Sequence, residues 1–208
     1  MKKIILVLLI VLIALPCWAK LDIRPFVGGV EAGGDCDTVV FSNTGDITGD
    51  GDISDENDMA ILAQSYNEAS QHVPCKLTAT LTYKTGDITG VDFYMIIATR
   101  TGDNLDLPPV ATSDSVTGNN SWSASEVPFE FSSPPTLSAS TDYFLAIWMD
   151  SNQNGVLEDS DDYAAAGEGY TEWEYNVNGE IPGNHYSFLY TGVYVSSGSL
   201  DMKLIMYE

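Results

Sequence analysis

The pattern that most constrains the fold of this chain is the alternation of apolar and polar residues after Pro74. From Leu77 to Tyr83 the apolar residues alternate with threonines, which is typical of a half-buried strand. Further short strands are predicted at residues 93–99, 128–131, 143–149, 186–189, 193–195 and 200–207. Turn-forming residues separate them, so the sequence predicts a mainly β fold, an antiparallel β-sandwich spanning residues 76–208.

A single helical pattern precedes the predicted sandwich, within residues 36–75. Met59, Leu62 and Tyr66 fall on one face of a helix, and Ser54 is placed to cap its start. We therefore expect a short EF-hand-like loop–helix unit on the N-terminal side of the sandwich.

The first 19 residues have the features of a bacterial-type export signal. Two lysines precede residues 4–15, an apolar run of 12 residues that is too short for an ordinary bilayer span. Cleavage after Ala19 leaves a lead strand segment at residues 20–35, and lipidation of Cys17 is an open alternative. The prediction is a secreted, extracellular or cell-surface protein with no transmembrane segment in its mature chain.

The charge of the chain excludes two classes of partner. Its 208 residues include 30 acidic and only 8 basic side chains, a formal net charge of −22. Loss of residues 1–19 removes two lysines and no acid, which gives −24. Binding to nucleic acid or to anionic lipid is therefore not expected. Because 44% of the residues are hydrophobic, the chain can still build a core.

Two cysteines, Cys36 and Cys75, remain after removal of the signal. In an exported chain such a pair predicts a disulfide, which would stabilise the fold by about 3–4 kcal/mol in the chain-entropy model. Two free buried thiols are the alternative.

An acidic loop that follows the predicted strand 143–149 has the spacing of a calcium-binding loop. Calcium takes about six to eight oxygen ligands, and an EF-hand loop supplies them from positions 1, 3, 5, 7, 9 and 12, with Gly at 6. Gly155 occupies position 6. The predicted ligands are Asp150, Asn152, Asn154, Val156 through its carbonyl, Glu158 and Asp161. The alternative is an ordinary hairpin turn at Asn154-Gly155.

A second acidic loop, before the predicted helix, follows the same spacing, with Gly51 at position 6. Its predicted ligands are Asp46, Thr48, Asp50, Asp52 through its carbonyl, Ser54, and Asn57 or Asp58 at the last position. The alternative is a solvated acidic turn that caps the helix.

Both loops resemble those of known secreted modules. Residues 45–66, with Gly45 to Ser54 followed by Asp58 to Ala63, resemble one repeat of a bacterial dockerin. That resemblance implies calcium binding, secretion and docking onto a cohesin domain. The loop at Asp150 is similar to calcium loops of exported bacterial β-sandwich modules of the transthyretin-like, carboxypeptidase-regulatory kind, over residues 76–166.

Catalysis is not expected. The chain has two histidines, His72 and His185, and neither lies in a metalloprotease motif. Glycoside hydrolysis by a pair of carboxylates remains an alternative, and the candidate residues are Glu168, Glu172, Glu174 and Glu180.

Aromatic residues suggest an alternative binding function. Trp122, Tyr170, Trp173 and Tyr175 could stack on sugar rings, although aromatics in a sandwich usually belong to its core. The sequence thus favours a calcium-binding structural or adhesive extracellular protein. Its expected partners are calcium, another extracellular protein or further copies of itself; a carbohydrate-binding module that recognises polysaccharide is the alternative.

Overall fold

A computed structural model gives the fold of the chain from Cys36 to Glu208, with gaps. The described residues are 36–43, 49–53, 61–150, 155, 170–176, 185–188, 194–198 and 201–208. The predicted signal at residues 1–19 and the predicted lead strand at 20–35 lie outside them.

Strands form all the regular structure of the described residues, and no helix occurs among them. The fifteen strands are β1 Val39–Asn43, β2 Gly49–Ile53, β3 Ile61–Tyr66, β4 Lys76–Thr85, β5 Asp92–Thr101, β6 Asn104–Leu105, β7 Ala111–Thr112, β8 Val116–Thr117, β9 Ser125–Glu130, β10 Tyr143–Asp150, β11 Tyr170–Asn176, β12 His185–Phe188, β13 Tyr194–Gly198, β14 Asp201–Met202 and β15 Leu204–Tyr207. The seven strands predicted within residues 76–208 are confirmed, the last of them split at Lys203 into β14 and β15.

The strands form two antiparallel sheets. The first, seven-stranded as described, has the order β1-β15-β4-β11-β14, with β2 beside β11 and β9 beside β4. The second, eight-stranded, has the order β13-β12-β3-β10-β5-β6, with β7 and β8 also beside β5. Strands β1 and β3 come from residues 36–75 and pair with β15 and β10, so that segment contributes to both sheets.

The main core lies between the two sheets. Leu77 and Leu81 of the first sheet belong to one buried cluster with Phe93, Leu145 and Ile147 of the second. This arrangement confirms the predicted sandwich.

The second sheet is buried on its other face as well. A second cluster there includes Phe144, Trp148, Tyr186 and Phe188. Every residue of β10 is buried, which explains why its sequence is a continuous apolar run and not an alternation.

The prediction of a helix with Met59, Leu62 and Tyr66 on one face is wrong where the structure describes that segment. Ile61–Tyr66 is strand β3, paired with β10 on one side and β12 on the other, and all six residues are buried. Leu62 and Tyr66 contribute to the main core, whereas Ile61 and Ala63 contribute to the second cluster. Burial on two opposite faces suits a strand of period two better than a helix with one apolar stripe.

The predicted disulfide between Cys36 and Cys75 is confirmed, with Cα atoms 6.0 Å apart. It joins the chain just before β1 to the chain just before β4. Strand β15 pairs with both of these strands, so the disulfide closes one end of a three-stranded arrangement.

A membrane-spanning helix is not found: within the described ranges no helix is both long and apolar enough to cross a bilayer.

Candidate metal centre

Asp150 is the last residue of β10 and is completely buried, with 0% of its surface exposed. Its Oδ2 accepts a hydrogen bond from the backbone N–H of Gly155 at 2.8 Å. Its Oδ1 is buried and has no hydrogen-bond partner in the described part of the chain. A buried carboxylate oxygen without a partner is costly in free energy, so this oxygen marks Asp150 as the residue to explain.

The backbone N–H of Gly155 points back to Asp150, the first residue of the predicted loop. Its φ is +70°, a backbone conformation that glycine adopts without penalty. Such a turn is what position 6 of the predicted loop requires, and the hydrogen bond fixes it to position 1.

Asp92 lies directly across from Asp150 in the β5–β10 pairing. Its Oδ1 accepts a hydrogen bond from the Thr117 hydroxyl at 2.9 Å. Like charges at directly opposed positions of a sheet destabilise it unless something neutralises them. Asp92 was not among the predicted ligands, because only the strand register reveals that it adjoins Asp150.

Tyr94 is a third described residue beside these two carboxylates. Its ring stacks on Trp148, with centroids 4.7 Å apart. Burial raises the pKa of the Tyr94 hydroxyl, and the charges of Asp150 and Asp92 raise it further, against the opposing effect of a hydrogen bond from Ser115. The phenol is therefore a neutral oxygen beside two negative groups.

The remaining residues predicted for this loop lie outside the described residues: Asn152, Asn154, Val156, Glu158 and Asp161. Within the described ranges, no group of three or more His, Cys, Asp or Glu side chains is arranged to hold a metal. The described part of the site thus comprises two carboxylates and a phenol.

The earlier acidic loop differs from its expected shape. The calcium spacing puts Gly51 at position 6, where a loop turns sharply, but Gly49–Ile53 is the extended strand β2, and Gly51 pairs with Trp173 of β11. The backbone at Asp50 and Asp52 is therefore that of a strand and not of a tight loop. Asp46, Thr48, Ser54, Asn57 and Asp58 lie outside the described residues, so calcium ligation here stays a prediction.

The aromatic residues predicted for glycan binding are only partly described. Trp122 is half-buried and packs edge-on against Phe93, with ring centroids 5.4 Å apart, so the core accounts for its position. Tyr170, Trp173 and Tyr175 all belong to β11, and binding of sugar by them stays a prediction.

The histidines do not approach this site. His72 Nδ1 lies 3.1 Å from Glu208 Oε1, and Glu208 Oε1 also accepts the backbone N–H of Val73. His185 begins β12, which is separated from β5 by β3 and β10.

No protein-family model matches the chain, and a search of curated proteins found no match.

Proposed function

We propose that the chain is a secreted calcium-binding protein with a structural or adhesive role outside the cell, and that its ion binds at the end of β10. The observation that carries this proposal is the completely buried Asp150, whose Oδ1 has no partner among the described residues. A cation there would compensate the buried charge.

Calcium is the ion that suits the groups around Asp150. Asp150 and Asp92 offer carboxylate oxygens and Tyr94 a phenol oxygen, all of them hard ligands. The loop from Asp150 adds further carboxylate, amide and carbonyl oxygens at calcium spacing in the sequence. Loops of this kind in extracellular modules bind calcium with a Kd of about 10⁻⁴–10⁻³ M, which is close to its concentration outside cells.

A structural role follows from the position of the proposed ion. Strand β10 is completely buried and pairs with both β3 and β5, so it is a central element of the second sheet. An ion bound where β10 ends would fix the following loop to this rigid element. A loop ordered in this way is a suitable surface for contact with another extracellular protein or with a further copy of the chain.

Thermal and chemical unfolding of the mature chain tests the proposal. With calcium at about 10 times to 100 times its Kd, the free energy of unfolding is expected to rise by about 1.4–2.7 kcal/mol over the value in excess chelator. Calorimetric titration with calcium should give the Kd directly. An unfolding curve that does not change between calcium and chelator would overturn the proposal.

The variant Asp150→Asn distinguishes the stability that the ion contributes from the stability of the fold without the ion. The amide oxygen keeps the hydrogen bond from Gly155, while an unpartnered neutral amide costs less than an unpartnered carboxylate. In chelator the variant is therefore expected to be at least as stable as the parent, and in calcium it should be less stable. Glu126→Gln, which removes an exposed charge from β9 of the first sheet, is the matched control and should retain the full calcium response.

A further inference from the structure

We propose that Asp92 of β5 is a direct ligand of the calcium ion bound by Asp150, so that the ion joins two neighbouring strands. This inference rests on the proposed function and adds to it a ligand that lies 58 positions before Asp150 in the chain. With Asp92 as a ligand, the site differs from an EF-hand-like loop, in which the loop itself supplies all of the protein ligands.

The strand register brings the two carboxylates together. Asp92 and Asp150 are directly paired in the antiparallel β5–β10 ladder, and paired residues point to the same face of a sheet. Their Cβ atoms are therefore about 4.5–5.5 Å apart. One ion with ligand distances of about 2.3–2.6 Å can reach an oxygen of each.

Each carboxylate is already fixed through one of its oxygens. Oδ2 of Asp150 accepts the Gly155 N–H at 2.8 Å, and Oδ1 of Asp92 accepts the Thr117 hydroxyl at 2.9 Å. The other oxygen of each is left for an ion, and in Asp150 that oxygen is buried with no partner. Hydrogen bonds of this kind orient metal ligands and hold them in place before the ion arrives.

Among the described residues, no basic side chain is found in an ion pair with Asp92 or Asp150. The ion pairs found among the described residues are His72–Glu208 and Arg100–Asp103, and neither includes Asp92 or Asp150. Two opposed carboxylates, one of them completely buried, therefore lie side by side. A divalent cation bound between them would compensate their negative charge.

The aromatic pair beside the site supplies a direct readout. Terbium(III), like calcium, prefers hard oxygen ligands, and its emission is sensitised by a nearby indole. Trp148 lies two residues before Asp150 on the same strand and stacks on Tyr94. Terbium bound at the site should be sensitised by Trp148 and by the phenol of Tyr94, and calcium should displace it; Trp148→Phe should remove the part of the signal that comes from indole excitation.

Emission lifetimes of bound terbium in H₂O and D₂O count the water molecules on the ion. If Asp92 is a direct ligand, Asp92→Ala should raise that number by about one and weaken calcium binding by on the order of tenfold or more. Asp92→Asn keeps an oxygen at the same place and the acceptor for Thr117. It should therefore weaken binding without changing the number of waters.

The controls separate this inference from the proposed function. Glu126→Ala removes a distant exposed charge and should change neither the water count nor the affinity. If Asp92→Ala weakens affinity but leaves the water count unchanged, Asp92 acts only through its charge and the inference is wrong. If Asp92→Ala changes neither while Asp150→Asn abolishes binding, the inference is wrong and the calcium function stands. If the parent chain binds neither ion, both are wrong.

Discussion

Asp150 is the residue at which an apolar strand meets an acidic loop. The seven residues before it in β10 are apolar and buried, and Asp150 keeps the position of a core residue while it carries a carboxylate. The free-energy cost of that position explains why the site is expected to depend on an ion. Its neighbour Asp92 is half-buried, so the pair lies where the sheet ends and the loops begin.

Gly118 is a residue at which the packing leaves no room for a side chain. A Cβ on Gly118 would overlap the carbonyl oxygen of Ile88 and would lie 2.9 Å from a ring carbon of Phe93. The backbone of Ile88 cannot rotate away as a side chain can. Gly118→Ala is therefore expected to lower the free energy of unfolding by about 1–3 kcal/mol, measured by urea unfolding.

Gly90 offers the matched control for that substitution. A Cβ there would meet no atom within 4 Å, so Gly90→Ala should change stability by no more than about 0.5 kcal/mol. Equal effects of the two substitutions would show that the overlap at Gly118 does not limit the fold.

The sequence pattern and the strand register contribute different residues to the proposed site. Spacing alone predicts Asp150 and Gly155 as positions 1 and 6 of a calcium loop, because the positions of such a loop follow one another along the chain. It could not identify Asp92, because the partner of a residue across a sheet depends on register, which no local pattern encodes. The burial of Asp150 likewise depends on strands that come from distant parts of the sequence.

At the scale of elements, β3 shows where a local pattern misleads. Apolar residues in its sequence recur at helical spacing, yet a short apolar run is compatible with a helix or a buried strand. Both sides of β3 are already paired, and its Gln64 accepts a hydrogen bond from the backbone of Met202 in the first sheet at 2.8 Å. These tertiary contacts stabilise residues 61–66 as a strand in preference to a helix. The predicted strands with clear alternation, such as β4, were confirmed because neighbouring residues alone specify that pattern.

The disulfide is the element-scale constraint that is simplest to remove. Cys36 and Cys75 are 39 positions apart, and the bond between them restricts the unfolded chain. The double substitution Cys36→Ala with Cys75→Ala is expected to lower the free energy of unfolding by about 3–4 kcal/mol, measured by denaturant unfolding.

Reduction of the parent chain provides the control for that double variant. Reductant should destabilise the parent and leave the variant unchanged, since the variant has no bond to reduce. If the reduced parent and the oxidised parent unfold at the same denaturant concentration, the disulfide does not contribute to stability.

At the scale of the whole molecule, the net charge and the proposed ion act in different ways. The charge of −22 is spread over the whole chain, whereas the two carboxylates of the site lie at one pair of opposed positions. Monovalent salt screens the diffuse repulsion, because the Debye length falls from about 30 Å at 0.01 M to about 3 Å at 1 M. Calcium at a specific site should instead saturate at millimolar concentration.

These two effects can be separated in one experiment. In excess chelator, NaCl is expected to raise the Tm of a chain of residues 20–208 gradually, because it weakens self-repulsion among 30 acidic side chains that have only 6 basic counterparts once Lys2 and Lys3 are absent. Asp150→Asn should keep that NaCl response, since it removes one charge of many, and should lose the saturable response to calcium. A fall in Tm with NaCl in chelator would show that repulsion does not limit stability. A calcium response that survives in Asp150→Asn would show that the acidic surface, and not the end of β10, binds the ion.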